Sequence, residues 1–117
     1  MCTLIVYEDS HRAYGEAMVR ALKGLRPGVE VRLAHLRDLD TELIDFDPHV
    51  VVCGHRNSVD PGRRGAWIVL ADEPDEPSEI CLEGRRSGVA NPGLEEVLAV
   101  LDETGELLRS GRSLRGC

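Results

Sequence analysis

Lysine is nearly missing from this chain of 117 residues: Lys23 is the only one, and arginine supplies almost all of the positive charge. Fourteen basic side chains stand against twenty-one acidic ones, a net charge of −7. That balance argues against nucleic acid as a partner, because phosphate binding needs a cationic face. Long apolar runs are absent too, and no stretch reaches the roughly eighteen residues of a membrane span. "CTLIVY" at 2 to 7 begins without the charged and apolar regions of a signal peptide, so a cytoplasmic chain with no membrane contact is expected. The cysteines at 2, 53, 81 and 117 show no CxxC spacing and no histidine at zinc-finger distance, which leaves a metal framework without support. Three of them lie in or beside strand-like runs, where a reduced cysteine packs as a small hydrophobe, and Cys117 is expected to be exposed.

What is present is enough for one domain with a core of its own. "CTLIVY" reads as a strand covered on both faces. Ala13, Ala17, Met18, Ala21, Leu22 and Leu25 follow at helical spacing, with Asp9 or Ser10 placed to cap the first turn. Pro27 and Gly28 stop that helix, "VEVRLA" is a second strand, and "HLRDLDTELIDF" is a short helix closed by Asp47-Pro48. "HVVVCG" is a third strand, "AWIVLA" (66 to 71) a fourth and "ICLEG" (80 to 84) a fifth. Between them, "GHRNSVDPGRRG" (54 to 65) and "DEPDEPSE" (72 to 79) carry turn signals and acids in place of apolar periodicity, so both are expected as loops. Asn91-Pro92 opens a last helix with Leu94, Val97, Leu98, Leu101 and Leu108 on one face. The alternation predicts an α/β fold with a mostly parallel five-stranded sheet, its third and fourth crossover helices reduced to loops. The connection at 72 to 79 is short for a parallel crossover, which leaves an antiparallel fourth and fifth strand as the alternative to an extended loop. Residues 1–108 form the domain, and 109–117 a basic tail expected to fray.

Taken together, "LIVYEDSHRAYGEAMVRALKGL", "VEVRLA" and "DPHVVVCG" resemble the first half of a receiver domain of bacterial two-component signalling, over residues 3 to 54. The resemblance implies a flavodoxin-like, receiver-like three-layer sandwich. It also implies an acidic pair after the first strand that holds magnesium, an aspartate ending the third strand that takes a phosphoryl group, a hydroxyl after the fourth strand and a lysine after the fifth. Glu8 and Asp9 stand at the acidic pair. Cys53 or Gly54 stands at the aspartate, Ala71 or Asp72 at the hydroxyl, and Gly84 or Arg85 at the lysine. The chain therefore looks like a degenerate pseudo-receiver that keeps the fold and lacks the phosphoacceptor.

Read from their own chemistry, Glu8 and Asp9 have two uses: oxygen ligands for a divalent cation such as magnesium, or helix caps favoured by the helix dipole. The acids of "YEDSHRAYG" would repel a phosphate, so no nucleotide cofactor is expected. A parallel sheet would gather Glu8, Asp9, His11, Cys53, Gly54, His55, Arg56, Asp72 and Arg85 around the crevice at the carboxyl ends of its strands. Within it, Cys53 with a histidine is a nucleophile-and-base arrangement, although no third member is identifiable. Two functions follow: a non-enzymatic regulatory domain working through protein contacts, as a homodimer joined by the last helix and the fourth and fifth strands, or a small-ligand or divalent-metal site built on Glu8, Asp9, Cys53 and His55.

Overall fold

The computed structural model describes residues 1–54, 65–70, 77–90 and 93–111. In chain order these form β1 (Cys2–Tyr7), α1 (Arg12–Leu25), β2 (Glu30–His35), α2 (Leu39–Asp45), β3 (Val50–Gly54), β4 (Ala66–Leu70), β5 (Pro77–Leu82), β6 (Arg85–Ala90) and α3 (Leu94–Arg109). One-turn 3-10 helices at Asp9–His11 and Leu36–Asp38 precede α1 and α2. The strands make one sheet in the order 2-1-3-4-5-6. β2, β1, β3 and β4 are parallel, whereas β5 and β6 run antiparallel to their neighbours.

The valine, isoleucine and leucine runs of β1 and β3 are buried on both faces, as parallel strands between helices must be. On one face, Ile5, Val50, Val52 and Ile68 meet Met18 and Leu22 of α1 and Val97, Val100 and Leu101 of α3. On the other, Leu4, Val6, Val51, Cys53 and Trp67 meet Leu39 and Leu43 of α2. Each fully buried aliphatic side chain contributes about 1.5–3 kcal/mol. α1 can lie close to the sheet because Gly15 has no side chain: a Cβ there would stand 3.1 Å from Leu33 Cδ1 and 3.2 Å from Tyr7 Cβ. Arg26, just past α1, bridges to Asp102 of α3 through two 2.8 Å bonds and ties the two helices of that face together.

The sheet therefore has six strands where the sequence pattern predicts five, and it is mixed. β6, "RRSGVA", is the strand the pattern misses. Its residues lie at or near the surface of an edge, so it needs no apolar alternation to form. β5 begins earlier than expected, at Pro77, the first strand position being one that proline tolerates. Because β5 is antiparallel to β4, the short connection before it requires no crossover. Of the loops expected at 54–65 and 72–79, Gly54 ends β3 and residues 77–79 already belong to β5, while 55–64 and 72–76 lie outside the described residues, as does the Asn91-Pro92 opening of the last helix. The tail expected from 109 begins later, because Arg109 is the last residue of α3, and 112–117 lie outside the described residues. α3 starts after Gly93, whose N–H donates to Glu96 Oε2 at 2.7 Å. The N-cap residue of α1 is His11, with no side-chain capping bond, and not Asp9. Cys2 and Cys53 are free thiols, but Cys81 is disulfide-bonded, which corrects its reading as a reduced packing residue. Cysteine spacing alone holds no information on pairing.

Candidate functional site

β1 has β2 on one side and β3 on the other, with α1 and α2 on opposite faces. This is the point where the strand order reverses, and open α/β sheets bind ligands beside it, at the carboxyl ends of the strands. Tyr7 and His35 are register partners at the ends of β1 and β2. After Tyr7 the chain turns: Glu8 is extended, and its carbonyl accepts from His11 N–H at 2.9 Å. That turn brings Asp9 back over β2, where Asp9 Oδ1 lies 2.8 Å from His35 Nε2.

The histidine is fixed from both sides. Its Nδ1 accepts from the Arg37 backbone N–H at 3.1 Å, so Nδ1 carries no hydrogen there and Nε2–H donates to Asp9. The Tyr7 ring meets the imidazole edge-on, with centroids 5.1 Å apart at 79°. Arg12 lies over the Tyr7 ring at 5.7 Å and bonds Glu16 at 2.9 Å through Nε. The His35 side chain is 17% exposed and that of Asp9 is 91% exposed. The imidazole is thus a sheltered post that holds a solvent-facing carboxylate. With both ring nitrogens engaged, His35 positions Asp9.

Of the residues singled out in the sequence, Glu8, Asp9, His11 and Gly54 do stand at the carboxyl ends. Glu8 is partly buried, His11 is exposed, and Gly54 closes β3 opposite Leu70. Cys53 does not join them. It is 1% exposed and packs into the core on the α2 face, because the residue after Val52 must turn toward α2. Arg85 is a second correction. It starts β6 opposite Leu82, beyond the Trp67–Cys81 pair and level with the start of β4, so it sits at the far end of the sheet. The antiparallel β5–β6 hairpin is the cause. His55, Arg56 and Asp72 lie outside the described residues. Among the described residues, no group of three or more His, Cys, Asp or Glu side chains converges on a metal position.

The sequence reading missed His35, Tyr7 and Arg12. The second strand ends at Ala34 in the periodicity, one residue too early, and the signal that would have found His35 is the register of β1 against β2. At the opposite end of the sheet, Cys2 donates its backbone N–H to His49 Nδ1 at 3.0 Å, and its Sγ lies 3.7 Å from Glu30 Oε2. Burial, then the Glu30 charge, pushes the Cys2 thiol above its ordinary value, which makes it a poor nucleophile. A cavity of about 290 Å³ opens on the hairpin between Pro77, Ser78, Glu79, Arg86, Ser87 and Gly88. No helix among the described residues is long and apolar enough to cross a membrane. No family model, curated protein or solved structure matches the chain.

Proposed function

We propose that this chain is a non-enzymatic regulatory domain, a pseudo-receiver that acts through protein–protein contacts, as a homodimer, and is not phosphorylated. The observation that carries the reading is the direction of Asp9. A receiver's acidic pair serves the third strand, whereas Asp9 is held over the second by His35 at 2.8 Å. β3 supports it, since its end offers a core cysteine and a glycine, neither able to form an acyl phosphate. The order 2-1-3-4 through the parallel strands is the one flavodoxin-like sheets share, and the hairpin after β4 replaces their fifth parallel strand. A cytoplasmic place and a bacterial signalling context belong to the same proposal.

Incubation with acetyl phosphate and magnesium, followed by intact-mass measurement, is expected to add no phosphoryl group. An amide-resolved titration with magnesium and then beryllofluoride is expected to leave Glu8, Asp9 and Gly54 unmoved. Phosphoryl uptake, or saturable shifts at those amides, would overturn the reading.

The Asp9–His35 pair at the strand-order reversal favours a second reading, a small-ligand or divalent-metal site at the carboxyl ends. Zinc or manganese binding that perturbs the His35 ring resonances, and is lost in Asp9→Asn, would select it over the first.

A further inference from the structure

The β5–β6 hairpin ends the sheet, and among the described strands β6 pairs only with β5. That pairing runs one residue against one from Leu82–Arg85 to Pro77–Ala90, with no bulge. Glu83 and Gly84, at φ 54 and 78, form the two-residue turn. The pair next to such a turn exchanges both backbone bonds, and alternate pairs after it do the same. Ser87 and Val89 therefore direct their N–H and C=O toward β5, and Gly88 and Ala90 direct theirs away from the sheet.

Edge strands are normally protected by lysine, proline, a bulge or an inward charge. From Ser87 to Ala90, β6 has none of these. We propose that β6 pairs antiparallel with β6 of a second copy of this chain, across a twofold axis at Gly88, joining the two sheets into one. The inference rests on the reading of the domain as one that works through protein contacts, and it names the partner and the register. Paired residues on antiparallel strands share a face of the sheet, so a twofold axis must fall on a residue and not between two. An axis at Arg86 would set two guanidinium groups directly opposite each other, which is destabilising. An axis at Ser87 or Val89 would match fewer outward-directed backbone groups. At Gly88, outward groups meet outward groups and no side chain occupies the axis. Each Arg86 stays within 3.4 Å of its own chain's Glu79 and comes level with Ala90 of the other copy. Pairing β6 with β2 of the next copy would propagate into a filament, whereas the twofold closes.

Sedimentation of the unsubstituted chain across micromolar concentrations tests the pairing together with two variants. Gly88→Pro removes an outward N–H at the axis and leaves the bonds of Ser87 and Val89 to β5 in place, so the sheet is retained, as circular dichroism would verify. Gly88→Cys sets two thiols on a hydrogen-bonded antiparallel pair with Cα atoms about 5.5 Å apart, within disulfide reach. The expected result is a concentration-dependent dimer whose dissociation constant rises about tenfold or more in Gly88→Pro. Under mild oxidation Gly88→Cys should crosslink faster than Ser87→Cys. A monomer at all concentrations overturns the pairing. A dimer indifferent to Gly88→Pro and without preferential crosslinking overturns it too, but leaves the protein-contact reading standing. Phosphoryl uptake in the acetyl phosphate assay overturns that reading without touching the dimer.

Discussion

One imidazole decides what the acidic pair after β1 does. Asp9 is the more exposed partner, yet its direction is set by His35, which the Arg37 N–H and the Tyr7 ring hold in one tautomer and one orientation. A second single-residue effect ties α1 to α3. The Arg26 guanidinium, hydrogen-bonded to both oxygens of Asp102, holds that carboxyl below its ordinary 3.8. A carboxylate depressed by folding stabilises the native state at pH above its unfolded value and loses that contribution as pH falls through the folded one. Both side chains are largely in solvent, so the effect is small. Asp102→Asn is expected to lower Tm by about 1–3 °C at neutral pH. The difference should close as thermal unfolding is repeated below pH 3.8; a constant difference across pH would remove the ion pair as its cause.

At the scale of elements, the approach of α1 to the sheet depends on the absence of a Cβ at Gly15. Alanine there improves helix propensity by about 1 kcal/mol, but its methyl would press on Leu33 Cδ1 at 3.1 Å and on the Tyr7 Cβ at 3.2 Å, beside the Asp9–His35 pair. Overpacking of this kind costs about 1–3 kcal/mol, so Gly15→Ala is expected to destabilise in urea titration despite the better propensity. A gain in stability would mean that α1 shifts freely, and that the packing around Tyr7 and His35 is less fixed than described. The hairpin has a different logic. β5 and β6 are held by their mutual backbone bonds and a tight turn, with the apolar contribution coming mainly from the β5 side, Ile80, Cys81 and Leu82.

At the scale of the whole molecule, Trp67 reports on folding by itself. It is the one tryptophan of the chain, 1% exposed, on the strand that joins the parallel half of the sheet to the antiparallel half. Its emission is expected to be blue-shifted and to move red in a single transition coincident with loss of far-UV ellipticity, as in two-state unfolding. Two separated transitions would show that the hairpin melts apart from the parallel strands. The Trp67 Nε1–H is buried with no hydrogen-bond partner among the described residues. Trp67→Phe removes an unsatisfied donor as well as volume, and should cost clearly less than the roughly 3–5 kcal/mol expected of Trp67→Ala.

The parallel half of the sheet is legible in the residue pattern. β1, α1, β2, α2 and β3 follow from β-branched runs and helical stripes, because β1 and β3 are buried on both faces and β2, α1 and α2 bury part of their surface, and burial is what periodicity records. It placed Glu8, Asp9 and Gly54 at the carboxyl ends for the same reason. The rest depends on contacts between residues distant in the chain. β6 lies at an edge with its residues at or near the surface, so the sixth strand left no mark in the apolar pattern, whereas the short connection at 72 to 79 had left an antiparallel fourth and fifth strand open, and the register of that pair carries Arg85 to the far end. Cys53 packs as the small hydrophobe its valine run predicts, and the pleat decides only that it faces α2. Asp9 turns to His35 because the register of β1 on β2 brings two residues twenty-six positions apart to 2.8 Å, a distance that no local spacing encodes.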